Sequence, residues 1–320
     1  MKETMMPQKR KSLDVLRGIG ILGIVLYHAF PKLFPGGFLG VPLFFVLSGY
    51  LMFSSSDLQW KQGNFQVRTY YKKRLARILP SLFVMVMGVC CYLTLFCPGQ
   101  LIGVRQEIYS IFLGYDNWWQ IGQHTSYFST LSNSPFTHLW FLAVEIQFYL
   151  LWPVLFIVYQ KGSRILGGRK MCFFFAILAL LSAGRMFCLY IPGSDPSRVY
   201  YGTDTMAFPL LIGMFLGTLR TQYDGLRFPV SHQTVCAIFL CFLLGLCALF
   251  LLIQGQNDGL YRGGLFLISL FFAGIINLLE NQKAEDTPLA KTPFLYLLGR
   301  KSYQIYLWHY PVVTLALFAL

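Results

Sequence analysis

Charge is scarce in this sequence, and acidic charge scarcest. Only 12% of its 320 residues are Asp, Glu, Lys or Arg, while 56% are hydrophobic; a soluble domain carries about a quarter charged residues. So few charges cannot cover a water-facing surface, and so much apolar content excludes disordered and collagen-like chains. The eight cysteines show no CxxC pairs and no metal-ligand spacing. They read as small core residues, so neither a disulfide scaffold nor a metal site is expected. A cleavable signal peptide is also missing: the first apolar run contains Arg17 and His28, and no small-residue cleavage site follows it. No fixed-period repeat or low-complexity linker divides the chain.

What the sequence has in abundance is long apolar runs. A transmembrane helix needs about 20 mostly apolar residues, and windows at 13–31, 38–56, 79–97, 139–160, 171–191, 206–221, 232–253, 260–280 and 303–320 qualify. The run 101–115 carries Arg105 and Glu107 and reads as a re-entrant or interfacial helix. The expected fold is an all-α, polytopic transmembrane helix bundle of about nine to ten spans, forming a single membrane domain over 1–320 with a basic cytoplasmic tail at 1–12.

The formal charge of +13 would suggest a nucleic-acid partner in a soluble protein. Here it reads as topology, because cytoplasmic loops collect Lys and Arg. With the N-terminus cytoplasmic, all but Lys32, Arg105, Arg185, Arg198 and Arg262 of the 26 basic residues fall on the inner side. A multi-pass protein of the cell membrane is expected, with lipid as a partner and no nucleic acid.

Ionisable side chains inside spans are costly and are functional candidates by default. At about 100° per residue, Asp14, Arg17 and His28 share one stripe of the first span. Fourteen residues at 1.5 Å separate Asp14 from His28 by about 21 Å, so they cannot form a local dyad. Depth counted from the ends of the apolar runs instead brings His28 to Glu145 of the fourth span. Glu145 is expected to orient the imidazole as a proton acceptor; a polar pair that only joins two helices is the plainer alternative. The same counting puts His309 near the inner face beside Arg17. For Asp14 and Arg17, three residues apart, an ordinary helix-surface ion pair is the alternative. In RTYYKKRLARILP, Arg74 and Arg77 share one helix face and can hold a phosphate, or attract anionic lipid.

Six ordered segments carry a family resemblance: SLDVLRGIGILGIVLYH (12–28), GGFLGVPLFFVLSGYLM (36–52), KKRLARILP (72–80), THLWFLAVEIQFYLLWP (137–153), RVYYGTDTMAFPLLIG (198–213) and LGRKSYQIYLWHYP (298–311). Over nearly the whole chain the sequence resembles the acyltransferase type 3 family, in particular the membrane part of bacterial peptidoglycan O-acetyltransferases. The resemblance implies transfer of an acyl group, typically acetyl, from cytoplasmic acyl-coenzyme A toward a hydroxyl of a cell-envelope carbohydrate, peptidoglycan or an exported polysaccharide. Acyl-coenzyme A is then the donor substrate, and no permanently bound cofactor is implied. Arg17 and His28 match the family's first-span pair, Arg74 and Arg77 its Arg-x-x-Arg motif, and Glu145 the first glutamate of its VEEQ motif. Tyr200 and Tyr201 match tyrosines of a possible substrate channel, in which His309 is also expected.

Four positions depart from the pattern: Pro42, Phe141, Ile146 and Met206 stand where the family has Asp, Ser, Glu and Arg. Family members usually continue past the last motif to another span, and the peptidoglycan enzymes continue further to an extracytoplasmic SGNH-hydrolase-like domain. None is expected within 1–320, so the resemblance implies a separate SGNH-type esterase as partner. From other classes, a transporter or flippase of a lipid-linked sugar, or a non-catalytic family member, fits the same intramembrane charges.

Overall fold

The computed structural model describes residues 11–128, 134–223, 231–280 and 292–318. All regular structure among them is helical. In chain order the helices are α1 (Lys11–Ala29), α2 (Gly40–Lys61), α3 (Val67–Phe96), α4 (Val104–Leu113), α5 (Asp116–Gly122), α6 (Trp140–Leu166), α7 (Gly168–Met171), α8 (Phe173–Leu189), α9 (Ser197–Tyr201), α10 (Thr203–Met206), α11 (Phe208–Gln222), α12 (His232–Leu252), α13 (Leu265–Glu280), α14 (Pro293–Arg300) and α15 (Ser302–Phe318). Short 3-10 turns at Gly37–Leu39 and Thr137–Leu139 lead into α2 and α6.

Each of the nine apolar runs lies on a helix. Six helical segments are long and apolar enough to cross a membrane: Lys11–Ala29, Gly37–Lys61, Val67–Phe96, Thr137–Leu166, Gly168–Leu189 and Leu260–Glu280. With 15 residues α11 extends only about 22 Å, short of the roughly 30 Å of hydrocarbon. Two expectations are corrected. The third helix begins at Val67, twelve residues before its apolar run, so Arg74 and Arg77 lie on the same rigid helix as the span. The run 101–115 is not one helix: Gly114, at φ +75, closes α4 with its N–H on the Ser110 and Ile111 carbonyls, and α5 restarts at Asp116. Glu107 is buried there, where Gln120 and Ser134 donate to its carboxylate at 2.9 and 2.5 Å.

Glycines set how closely the central helices approach, because backbone-to-backbone packing leaves no room for a Cβ. Between α2 and α11, a Cβ on Gly49 would lie 1.9 Å from the Leu210 carbonyl oxygen, and one on Gly213 2.0 Å from that of Val46. Gly18 meets Leu295 and Gly299 meets Asp14 in the same way, which makes α14 antiparallel to α1. The chain then turns back at Lys301 into α15, so the last helix rises beside α1. Helices α1, α2, α3, α6 and α15 thereby surround one polar interior.

Candidate active site

The interior has two compartments. The first is a cavity of about 280 Å³. Arg17 of α1, Ser48 of α2, Arg74 and Arg77 of α3, Glu145 and Tyr149 of α6, and Ser302 and Tyr303 of α15 give it its polar lining, while Phe44, Leu51, Ile78 and Phe141 give it an apolar one. Arg77 is exposed and marks its mouth. Asp14 Oδ1 accepts from Arg17 Nη1 at 2.9 Å. The Arg74 guanidinium lies 4.8 Å from the centre of the Tyr149 ring and 5.4 Å from that of Tyr70, a cation–π clamp that orients its donors. Glu145 accepts from Ser48 Oγ at 2.6 Å and from the Tyr149 hydroxyl at 2.8 Å. Three guanidinium groups facing a single lining carboxylate leave the cavity positive, with an apolar side suited to an uncharged arm.

The second compartment lies beyond the ends of α1 and α6. His28 Nδ1 is 3.0 Å from the Ile24 carbonyl oxygen and 3.2 Å from His309 Nε2. His309 Nδ1 is 2.7 Å from the Tyr306 carbonyl oxygen. His138, buried, packs its ring 5.4 Å from His309, with Nε2 3.2 Å from the Leu307 carbonyl oxygen. Tyrosines wall this group: Tyr310 is 4.9 Å and Tyr127 6.0 Å from the His28 ring, centre to centre. Tyr200 and Tyr201 are fully buried behind Tyr127, at 5.0 and 6.0 Å. Tyr200 donates to the Phe38 carbonyl at 3.2 Å, whereas the Tyr201 hydroxyl has no hydrogen-bond partner.

Two expectations about the site are overturned. His28 does not meet Glu145: their hydrogen-bond partners are wholly different. Depth was counted from the start of the apolar run, but the cluster level on this strand of chain is set by His138, and Glu145 lies seven residues, about 10 Å, further along the helix. His309 does not sit beside Arg17. Ser302 already lines the arginine cavity, so seven residues of α15 carry His309 about 10 Å away to His28. Nor does an open polar passage join the compartments. Phe141 and Tyr306 line the cavity's far end with their rings 5.4 Å apart, and Tyr306 in turn lies 5.9 Å from His309.

The structure does bring Arg17, Arg74, Arg77 and Glu145 together, with Asp14 behind Arg17. Sequence reasoning missed His138, Ser48, Tyr149, Tyr306 and Tyr310. For His138 a signal existed: a histidine in THLW at the mouth of an apolar run, level with the last turn of α1. Among the described residues, no group of three or more His, Cys, Asp or Glu side chains is placed to hold a metal ion. Of the departures, Met206 is fully buried, Phe141 packs 4.5 Å from Phe45, and Ile146 approaches Gly114; each apolar replacement sits in apolar packing.

Six long apolar helices make this a multi-pass membrane protein with a polar interior within the bundle. A family model described as an acyltransferase domain matches residues 10–318, and the chain belongs to that acyltransferase family. It is similar to the peptidoglycan O-acetyltransferase OatA of Listeria monocytogenes, 36% identical over 95% of this chain and 49% of the relative. It is also similar to the putative peptidoglycan O-acetyltransferase YrhL of Bacillus subtilis, 38% identical over 95% of this chain and 48% of the relative. A putative O-acetyltransferase of Staphylococcus aureus strain COL is 34% identical over 94% of the chain and 50% of the relative. The chain thus spans about half the length of these relatives. No solved structure matches it.

Proposed function

We propose that the chain transfers an acetyl group from coenzyme A, bound from the cytoplasmic side, to a hydroxyl of a cell-envelope carbohydrate, with peptidoglycan the acceptor that the names of its relatives favour. The observation that carries this reading is the pairing of a cavity bearing three guanidinium groups with a coupled imidazole pair one aromatic layer away. Guanidinium groups bind phosphate bidentately and keep their charge at any working pH. Arg74 and Arg77, at the mouth, are assigned the donor's phosphates. Arg17, deeper and held by Asp14, is assigned to anchor the donor's charge within the cavity. The apolar lining accommodates the uncharged thioester arm.

In the proposed step the acceptor hydroxyl oxygen attacks the thioester carbon while His28 takes the hydroxyl proton. The new C–O bond forms, the C–S bond breaks, and His28 returns the proton to the leaving thiolate. For the thioester to reach His28, the ring layer has to open. Tyr306 is pinned by its hydroxyl on the His138 carbonyl, which leaves Phe141, held by packing alone, as the side chain that turns aside. The basic loops support an N-terminus in the cytoplasm and about nine to ten crossings. An extracytoplasmic SGNH-type transferase is the partner assigned to onward delivery.

The test is acetyl transfer by purified protein in lipid vesicles, followed as release of free thiol from acetyl-coenzyme A with a carbohydrate acceptor present. His28→Ala should lower turnover by about 10²–10⁴-fold, and Arg74→Ala with Arg77→Ala should raise the donor KM. Unchanged turnover in His28→Ala removes His28 from the reaction.

A further inference from the structure

We infer that His309 is the positioning residue of the reaction, holding His28 in the single tautomer whose Nε2 is free to accept a proton. The chemical use of that tautomer rests on the acyl-transfer reading above; the hydrogen-bond order itself follows from geometry alone. A backbone carbonyl oxygen can only accept, so the nitrogen facing it carries a hydrogen. His309 Nδ1 lies 2.7 Å from the Tyr306 carbonyl oxygen and is therefore the protonated nitrogen of that ring. A neutral imidazole has one N–H, which leaves His309 Nε2 as a lone pair. That lone pair points at His28 Nδ1 from 3.2 Å, and the Ile24 carbonyl oxygen faces the same nitrogen from 3.0 Å. Both neighbours of His28 Nδ1 accept, so Nδ1 donates, and His28 Nε2 is the basic atom.

The order is locked at both ends by helix backbone. Reversing the tautomer of His28 would set two lone pairs against Nδ1, from His309 and from Ile24, and reversing both rings would set the Tyr306 carbonyl against a bare nitrogen. The usual orienter of a catalytic histidine is a carboxylate. Among the described residues no carboxylate is bonded to His28, and Glu145 is engaged by Ser48 and Tyr149 in the other compartment. A second imidazole performs the orientation without placing a negative charge in an apolar layer, where an unpaired carboxylate is costly. When His28 Nε2 takes the acceptor's proton, the Nδ1–H bond to His309 stays in place and the positive charge is shared along it toward the Tyr306 carbonyl. The proton then leaves from Nε2 to the thiolate, and both rings return to their starting state. His138 lies outside this chain of bonds: it packs on His309, and its Nδ1 has no hydrogen-bond partner.

The test uses the full chain in detergent or vesicles, with ring-labelled histidine. The sequence has five histidines, few enough to assign the His28 signals by single substitution. Nitrogen and carbon shifts distinguish an Nδ1–H ring from an Nε2–H ring, and His28 should report Nδ1–H. In His309→Ala one of the two acceptors at Nδ1 is gone while the Ile24 carbonyl remains, so the His28 signals should become a mixture in which the Nε2–H form appears beside the Nδ1–H form. Its kcat should fall by about ten- to a thousand-fold with the acetyl-coenzyme A KM unchanged. His309→Gln, whose side-chain oxygen can accept the same bond, should recover part of both. An Nε2–H tautomer at His28 in the unmodified protein overturns the inference, as does a His309→Ala protein with normal kcat. If His28 shows the Nδ1–H form but no acyl transfer is detected, the positioning geometry stands and the acyl-transfer reading fails instead.

Discussion

Phe141 lies between the arginine cavity and the imidazole pair, where Tyr306 is tethered by its hydroxyl and Phe141 is held by ring packing. It packs against Phe45 at 4.5 Å and Tyr306 at 5.4 Å, so its bulk limits how large an acyl group can pass. Phe141→Leu should therefore increase transfer from propionyl- or butyryl-coenzyme A relative to acetyl-coenzyme A by several-fold, read from competing donors in one assay; an unchanged preference assigns the limit elsewhere. At the cavity mouth, Arg74 owes its orientation to two tyrosine faces. Lysine neither stacks that way nor forks, so Arg74→Lys should raise the donor KM by about tenfold, a loss of roughly 1.4 kcal/mol in binding, while kcat stays near normal. Individual candidate residues were legible because ionisable groups in or beside apolar runs are rare enough to stand out: Arg17, Arg74 and Arg77 line the cavity and His28 joins the imidazole cluster. Their partners were not legible. Apolar runs fix helix ends only to within a turn: α1 ends at Ala29, two residues short of its run, so His28 stands in its last turn, level with His138 on the turn before α6 and not with Glu145 two turns further on.

At the scale of helices, the inner half of the site depends on how tightly α14 lies on α1. A Cβ on Gly299 would stand 1.6 Å from the Asp14 carbonyl oxygen, on the same turn as the Asp14–Arg17 pair. Gly299→Ala must push the helices apart and should cost about 1–3 kcal/mol, seen as a lower midpoint of thermal unfolding in detergent. Gly245, with nothing within 4 Å of a built Cβ, provides the control: Gly245→Ala should be neutral or slightly stabilising, since alanine is the better helix former. Equal effects of the two substitutions would mean that the α1–α14 approach is not under this constraint. Six of the nine apolar runs fall on helices long and apolar enough to cross a membrane, and these could be read from the sequence because length and composition decide that. The break after α4 could not, since it rests on one left-handed glycine, and neither could α14, whose short amphipathic segment before the last run needs α1 to lie against.

For the molecule as a whole, charge distribution carries two expectations. Between α8 and α11, Asp204 of α10 is paired with Arg198 of α9 and Arg185 of α8 at 3.1 and 2.6 Å. Burial raises its pKa, but the hydrogen bonds and charges of the two arginines outweigh that and hold it below the ordinary carboxylate value. The unfolded chain then binds this proton more readily than the native one. The stabilisation is complete above the unfolded pKa of about 3.9 and is lost as pH falls through the lower native value. Melting temperature in Asp204→Asn should accordingly be below that of the unmodified protein at pH 7, with the gap closing under acid. The second expectation concerns orientation. In a cysteine-free background, a membrane-impermeant thiol reagent applied to intact cells should label Ser194→Cys, exposed on the loop after α8, and not Lys161→Cys, exposed in the last turns of α6; the reverse pattern would invert the topology on which the proposed donor side depends. Overall architecture was readable from composition and loop charge, whereas the separation into two chambers arises from rings contributed by α6 and α15 and has no signature in either segment alone.

That ring partition has a physiological corollary. A membrane that stores energy as an ion gradient cannot tolerate a standing water column through one of its proteins. With Tyr306 fastened and Phe141 resting against Phe45, these rings stand between the arginine cavity and the imidazole pair, much as paired doors keep an airlock from venting. A leak of protons would therefore accompany any substitution that props the inner door open, even one that leaves acyl handling intact.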